Sequence, residues 1–317
     1  MSRIRALTVL VYHADEAGRY AALVRAPRGR VTVHVAAKPE DAAAVIRDVD
    51  VLYAWKFPPP LYRDAPRLRW LQAMAAGVEW ALVPELPSRV TVTRAPGIFG
   101  PWMAEYALGW MLWVSQRMAQ YREAQRERRW IGTVMPDRLR GKTLAVVGLG
   151  DIGRAIARAA SALGMRVVGV SRSGRAVPGI DRVWRLGGLA RALGAADVVV
   201  LAVPLTRDTR GLVDARALGA MRESAWLVNV ARGPIVVEDA LVRALAERRI
   251  GGAVLDVFDE EPLPASHPLW DLPNAVVTPH ISGPSTPDEI APVFNDNLSR
   301  FLAGRPLRHV VDRRRGY

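Results

Sequence analysis

Three residue types at three separated positions could together reduce a carbonyl group. Arg232 stands in Asn229-Val230-Ala231-Arg232-Gly233, Glu261 in Asp256-Val257-Phe258-Asp259-Glu260-Glu261-Pro262, and His280 in Thr278-Pro279-His280-Ile281-Ser282-Gly283. A guanidinium can grip a carboxylate and a neighbouring keto oxygen through several N–H donors. An imidazolium can give a proton to a developing alkoxide. A carboxylate beside that imidazole would hold its orientation and favour its protonated form. Each residue alone has an ordinary reading: Arg232 as an ion pair, Glu261 as a turn residue before Pro262, His280 as a satisfied buried histidine. Together they follow three successive apolar runs that read as strands. Carboxyl ends of parallel strands are where open α/β sheets bind ligands. The other histidines, His13, His34, His267 and His309, have no comparable setting in the sequence.

A second motif says what could share that rim. Leu144–Gly153 reads LAVVGLGDIG, an apolar strand followed by Gly148-x-Gly150-x-x-Gly153 and then a helical stretch, IGRAIARAASAL. Gly148 permits a tight turn, Gly150 lets backbone approach a pyrophosphate, and Gly153 lets helix and strand pack closely. The helix N-terminus adds N–H groups and the positive end of its dipole. A dinucleotide is the expected ligand. An acid for the ribose hydroxyl is expected about 20 residues on. The sequence instead has Ser171-Arg172-Ser173 after the strand Val167–Val170. An arginine fork suits a 2′-phosphate, so NADP is expected in preference to NAD. Asp256, at the end of its own strand, is a candidate partner for the nicotinamide carboxamide.

The elements that must carry these residues alternate along the whole chain of 317 residues. Strand-like runs are expected at Leu7–Tyr12, Val31–Val35, Val51–Ala54, Leu144–Gly148, Val167–Val170, Val198–Ala202, Trp226–Val230, Ala253–Val257 and Ala275–Thr278. Most are unbroken apolar runs, as in parallel strands covered on both faces. Helices are expected at Asp15–Ala26, Ile152–Leu163, Val237–Arg248 and Asp288–Leu302, and one long aromatic-striped helix at Trp102–Arg129. Strands alternating with helices argue an α/β protein with parallel sheets. Pro/Gly-rich seams lie at Ala95–Pro101 and Ser282–Pro287.

Composition narrows the function classes. Half the residues are apolar and there is no cysteine. That excludes a disulfide scaffold, a cysteine-ligated metal site and a cysteine nucleophile. No metal site is expected. The N-terminus reads as a first strand and not a signal peptide, and no run approaches a membrane span. A cytoplasmic protein is expected. The net charge is +13. It is spread along the chain, apart from Arg126, Arg128, Arg129 and Arg313, Arg314, Arg315. Without base-reading motifs this is weak ground for nucleic-acid binding, and steering of small anions is the simpler use.

The ordered set GKTLAVVGLGDIGRAIARAASALGMRV, AVPLTRDTRGLVD, NVARGPIVVEDAL, AVLDVFDEEPLPASHPLW and TPHISG covers residues 141–283 almost continuously. LRWLQAMAAGVEW and RAPGIFGPWMAEYALGWML add a looser match in the first third. The chain thereby resembles the D-isomer-specific 2-hydroxyacid dehydrogenase family, and most closely its glyoxylate/hydroxypyruvate reductase branch. The resemblance implies two doubly wound parallel-sheet domains, with a dinucleotide-binding (Rossmann) domain, 102–283, inserted into a substrate domain, 1–101 and 284–317. It implies Arg232, Glu261 and His280 as the catalytic trio. Cofactor contacts would come from Gly148, Gly150, Asp151, Ile152, Gly153, Ser171, Arg172, Ser173, Val203, Pro204, Thr209, Val230, Ala231, Asp256, His280 and Gly283. The main-chain amides of Ala76, Gly77 and Val78 would receive the substrate carboxylate, with Trp55 and Lys56 on the substrate side and Arg232 completing the grip. A homodimer through the helix after residue 101 is implied too. Two other readings share the fold: a dinucleotide-sensing binding protein resembling the family's corepressors, and a dehydrogenase of another substrate, such as phosphite or a bulky 2-keto acid.

Overall fold

A computed structural model describes residues 6–317. The chain divides into two units: residues up to Ile98 together with Ser285–Tyr317, and the continuous stretch Phe99–Pro284.

The first unit carries five parallel strands: β1 (Leu7–Tyr12), β2 (Val31–Ala36), β3 (Val51–Ala54), β4 (Trp70–Ala73) and β5 (Thr91–Thr93), in the order β2-β1-β3-β4-β5. Every residue of β1, β3 and β4 is buried, which is why their sequences do not alternate. The edge strand β2 leaves Val33 and Val35 exposed. The helix Pro287–Leu302 returns the chain end to this unit. Pro287 begins it, Asp288 and Glu289 occupy its first turn, and Arg300 lies in its last, all placements that suit the helix dipole. Ile290, Phe294 and Leu298, at i, i+4 and i+8, are fully buried. Phe294 stacks on Tyr53 at 4.1 Å and on Trp70 at 5.3 Å. A buried polar chain runs beside them: Trp70 Nε1 donates to Thr93 Oγ1 (2.7 Å), Thr93 Oγ1 to Gln72 Oε1 (2.7 Å), and Asn297 Nδ2 to the same Oε1 (3.1 Å). Part of the basic tail is structural. Arg313 Nη2 donates to the carbonyls of Pro87 and Val90, burial lowers the pKa of its guanidinium, and Arg315 pairs with Asp312.

The second unit is a seven-stranded parallel sheet: β6 (Thr143–Val147), β7 (Arg166–Val170), β8 (Arg182–Trp184), β9 (Val198–Leu201), β10 (Trp226–Asn229), β11 (Gly252–Leu255) and β12 (Ala275–Val277). Their order is β12-β11-β10-β9-β6-β7-β8. The chain runs outward from β6 through β7 to β8, then crosses back to β9 on the other side of β6. The reversal makes the carboxyl ends of β6 and β9 the topological switch point, where such sheets open a crevice. The amphipathic helix Asp151–Ala162 follows β6 and buries Ile156, Ala157 and Ala160. Burying Ile156 alone contributes about 1.5–3 kcal/mol.

Two expectations need correction. The long aromatic helix is broken: it runs Phe99–Ser115, the chain turns at Arg117 with φ +56°, and a second helix spans Met118–Arg126. A left-handed residue cannot continue an α-helix. The first helix is also shorter than expected, Ala17–Ala22. The strands β4, β5 and β8 were not expected from the sequence.

Candidate active site

The glycine turn is built by sterics. Gly148 has φ +101°, and a Cβ there would lie 2.4 Å from the carbonyl oxygen of Ala202 at the end of β9. A Cβ on Gly153 would lie 1.9 Å from the carbonyl oxygen of Gly148. A side chain at either position would force the backbone to shift. Gly150, the N-cap of the helix, would meet nothing within 4 Å. Asp151 and Ile152 follow in the first turn, and Arg154 Nε donates to the carbonyl of Leu149 at 2.9 Å, bracing the loop. A tight turn with open space over a helix N-terminus fits the pyrophosphate of a dinucleotide.

At the end of β7 the sequence Ser171–Gly174 forms a turn in which Gly174 N donates to Ser171 Oγ at 3.1 Å. Arg172 and Ser173 are exposed, and no carboxylate stands in the turn. After β9, Val203 and Pro204 begin a loop closed by Thr209. Its hydroxyl donates to Pro204 O at 2.6 Å and accepts from Thr206 N at 2.8 Å. Thr209 is thus engaged in shaping the loop.

The three chemistry-bearing residues follow neighbouring strands. β10 pairs with β11 and β11 with β12. After β10, fully buried Asn229 ties down the turn: its Oδ1 accepts from Ala231 N at 3.1 Å and its Nδ2 donates to Arg232 O at 3.1 Å. Val230 and Ala231 are buried, whereas Arg232 is half-buried, with Nη1 donating to the Ala231 carbonyl at 2.6 Å. After β11, Glu261 Oε1 accepts from Phe258 N at 3.1 Å. After β12, His280 Nδ1 lies 2.8 Å from Glu261 Oε2, with the two side chains 34% and 29% exposed. Glu261, as a carboxylate, fixes the hydrogen on Nδ1 and leaves Nε2 for exchange with a ligand. His280 itself has φ +54°.

The loop that carries His280 hangs on Asp256. This carboxylate is completely buried, and it accepts from Thr278 Oγ1 (2.6 Å) and Ile281 N (2.9 Å) on Oδ1 and from Ser282 N (2.8 Å) on Oδ2. Tyr106, on the helix Phe99–Ser115, extends the set through Thr278 Oγ1 at 2.6 Å, and burial raises its phenol pKa. The sequence offered Asp256 as a cofactor contact; the geometry gives it this anchoring role. Gly283 is held closely too, since a Cβ there would lie 3.1 Å from Met103 Cγ.

A second histidine–carboxylate pair corrects the view that no other histidine has a comparable setting. His267 Nε2 lies 3.0 Å from Glu238 Oε1, and its Nδ1 accepts from Leu269 N at 3.2 Å. Both ring nitrogens are used internally, so this pair is built to hold a turn. Among the described residues no cluster of His, Cys, Asp and Glu could hold a metal ion.

In the first unit Trp55 follows β3 and Ala76, Gly77 and Val78 follow the adjacent β4. Trp55 N donates to Tyr12 O at 3.1 Å, and its ring meets Trp80 edge-on at 6.1 Å. Lys56 lies over the Trp55 ring at 5.5 Å, with φ +49°. Val78 is buried, while Ala76 and Gly77 are half-exposed. Among the described residues no main-chain carbonyl accepts from the amides of 76–78.

Residues 108–282 match the family model for the NAD binding domain of the D-isomer specific 2-hydroxyacid dehydrogenases. The chain belongs to this family. A glyoxylate/hydroxypyruvate reductase A of Escherichia fergusonii is 32% identical over 84% of this chain and 87% of its own length. A D-isomer specific 2-hydroxyacid dehydrogenase family protein of Aeromonas salmonicida superposes with a TM-score of 0.91 at 37% identity, covering 98% of this chain and 99% of that one. An NADPH-dependent glyoxylate/hydroxypyruvate reductase of Sinorhizobium meliloti, solved with NADP and sulfate, has a TM-score of 0.89 at 30% identity, covering 98% and 100%. Two parallel-sheet units with a dinucleotide fold are thus the family's architecture. No described helix is long and apolar enough to cross a membrane.

Proposed function

We propose that this dehydrogenase reduces a small 2-keto acid of the glyoxylate or hydroxypyruvate type, with NADPH as its preferred reductant and NADH as a possible one. The observation that carries the reading is the 2.8 Å contact of His280 Nδ1 with Glu261, after the strand that neighbours the one leading to Arg232. The bound cofactor supplies hydride to the carbonyl carbon. Arg232 holds the carboxylate and keto oxygen with its guanidinium donors. His280 gives the proton on Nε2 to the forming alkoxide, and takes it back in the oxidative direction. Glu261 keeps the ring oriented. The amides of Ala76, Gly77 and Val78 take the carboxylate, and Trp55 limits substrate size. In this reading the first unit is the substrate domain and the second the dinucleotide domain.

Gly148, Gly150 and Gly153 with Asp151 and Ile152 hold the pyrophosphate. Val203, Pro204, Thr209, Val230, Ala231 and Gly283 line the cofactor, and Asp256 adds a carboxamide contact to its anchoring role. Ser171, Arg172 and Ser173 hold the 2′-phosphate. The relative from Sinorhizobium meliloti solved with NADP supports this preference, as does the missing acid. A homodimer through the helix Phe99–Ser115 also belongs to the proposal, since Trp102 and Leu112 leave apolar surface exposed along it.

The test is a panel of 2-keto acids with both cofactors. Steady turnover of glyoxylate or hydroxypyruvate with NADPH is expected, with Arg172→Ala raising KM for NADPH and sparing NADH. Loss of one charge-assisted contact costs about 1.5–3 kcal/mol. Tight dinucleotide binding without turnover of any 2-keto acid would point instead to a sensing protein.

A further inference from the structure

The segment Ser171–Arg185 carries four arginines and one acid, Asp181. That acid is engaged elsewhere: its Oδ2 accepts from Val167 N at 3.0 Å, one residue into β7. The carboxyl end of β7 therefore has cations around it and no carboxylate of its own segment. One of these cations reaches the turn from the neighbouring strand. Arg185 follows β8, and its Nε donates to the carbonyl of Ser173 at 3.2 Å. Its stem fills the place a side chain at 174 would need, because a Cβ on Gly174 would lie 2.7 Å from Arg185 Cγ. The adjoining backbone is tied across the same pair of strands, with Ser171 N donating to Trp184 O at 2.9 Å.

The turn itself is preset for an acceptor-only ligand. Ser171 Oγ accepts from Gly174 N and Ser173 Oγ accepts from Arg175 N (3.3 Å). Each hydroxyl keeps its own hydrogen for donation. A phosphate monoester dianion offers acceptors alone and is gripped best by planar guanidinium forks.

Resting on the proposed cofactor reading, we infer that Arg185 is a second phosphate-binding guanidinium, which with Arg172 brackets the 2′-phosphate from two strands. Its Nε is fixed on Ser173 and its two amino groups serve the phosphate. Gly174 is needed so that the Arg185 stem can pass.

The experiment is calorimetric titration of the whole protein with 2′,5′-ADP and with 5′-AMP, comparing wild type, Arg185→Ala and Arg185→Lys. Arg185→Ala is expected to weaken 2′,5′-ADP about tenfold or more and to leave 5′-AMP unchanged. Arg185→Lys, which keeps a charge but loses the fork, is expected to fall between. Equal weakening of both nucleotides, or no weakening of either, overturns the inference, the first outcome marking Arg185 as a brace of the turn alone. If wild type binds 2′,5′-ADP no more tightly than 5′-AMP, the NADP reading itself falls, and the inference with it.

Discussion

Gly233 lies so close to Phe258 that a Cβ on the glycine would sit 2.0 Å from the phenylalanine's carbonyl carbon. The amide of the same Phe258 donates to Glu261 Oε1. One residue therefore spaces the Arg232 turn from the Glu261 turn. Gly233→Ala must push these turns apart. Overpacking of this kind costs about 1–3 kcal/mol. The variant should unfold at lower denaturant than wild type and lose kcat/KM beyond what its folded fraction explains. A fully active Gly233→Ala protein would show that this spacing is not needed for the reaction.

The two histidine–carboxylate pairs should respond differently. His280→Gln is expected to lower kcat by about 10²–10⁴-fold, the usual worth of general acid–base catalysis, while dinucleotide binding persists. His267→Gln breaks a turn contact worth about 0.5–1.5 kcal/mol per bond and should leave kcat within a few-fold of wild type. Comparable kcat losses in both variants would remove the distinction.

Asp256→Ala leaves three donors of the His280 loop without their acceptor, at about 1–3 kcal/mol for each of the two buried ones, on Thr278 and Ser282. Denaturant unfolding should show a large loss of stability, and hydrogen exchange at Ile281 and Ser282 should quicken. Unchanged exchange at those two amides would disprove the anchoring role.

His13 supplies a pH-dependent element of stability. Its Nδ1 accepts from the amides of Asp15 and Glu16, and its ring stacks on Tyr20. Burial lowers its pKa, against the opposing pull of Glu16 and Asp15. The folded state thus favours the neutral ring. Its contribution is complete above the unfolded value near about 6.5 and is lost as pH falls through the lower folded value. Unfolding curves at pH 8 and pH 5 should show a steeper acid loss for wild type than for His13→Asn. Parallel losses would mean that His13 does not titrate across folding.

What could be read from the sequence was local or strongly periodic. The unbroken apolar runs gave most strands of both sheets, and Gly148, Gly150 and Gly153 stood out because their spacing alone implies a turn and a close approach. The contact of His280 with Glu261 could be expected because both follow adjacent apolar runs. The three-residue strand β8 has no such run. The break at Arg117 has no glycine or proline to announce it, and the aromatic spacing continues up to it. Asp256 gives no hint of its task, since its donors come from the loop after β12, 22 to 26 residues away. His267 likewise finds Glu238 only through the fold, 29 residues back.

The stacking of Phe294 between Tyr53 and Trp70 sets an order for biosynthesis. A ribosome adding about 5–20 residues per second needs about 10–40 s to travel from Ile98 to Phe294. During that interval the second unit, continuous in sequence, can complete its sheet. The first unit waits with Tyr53 and Trp70 uncovered. A nascent chain halted before the last helix would therefore present an aromatic surface, and that is the stage at which a chaperone has most to shield.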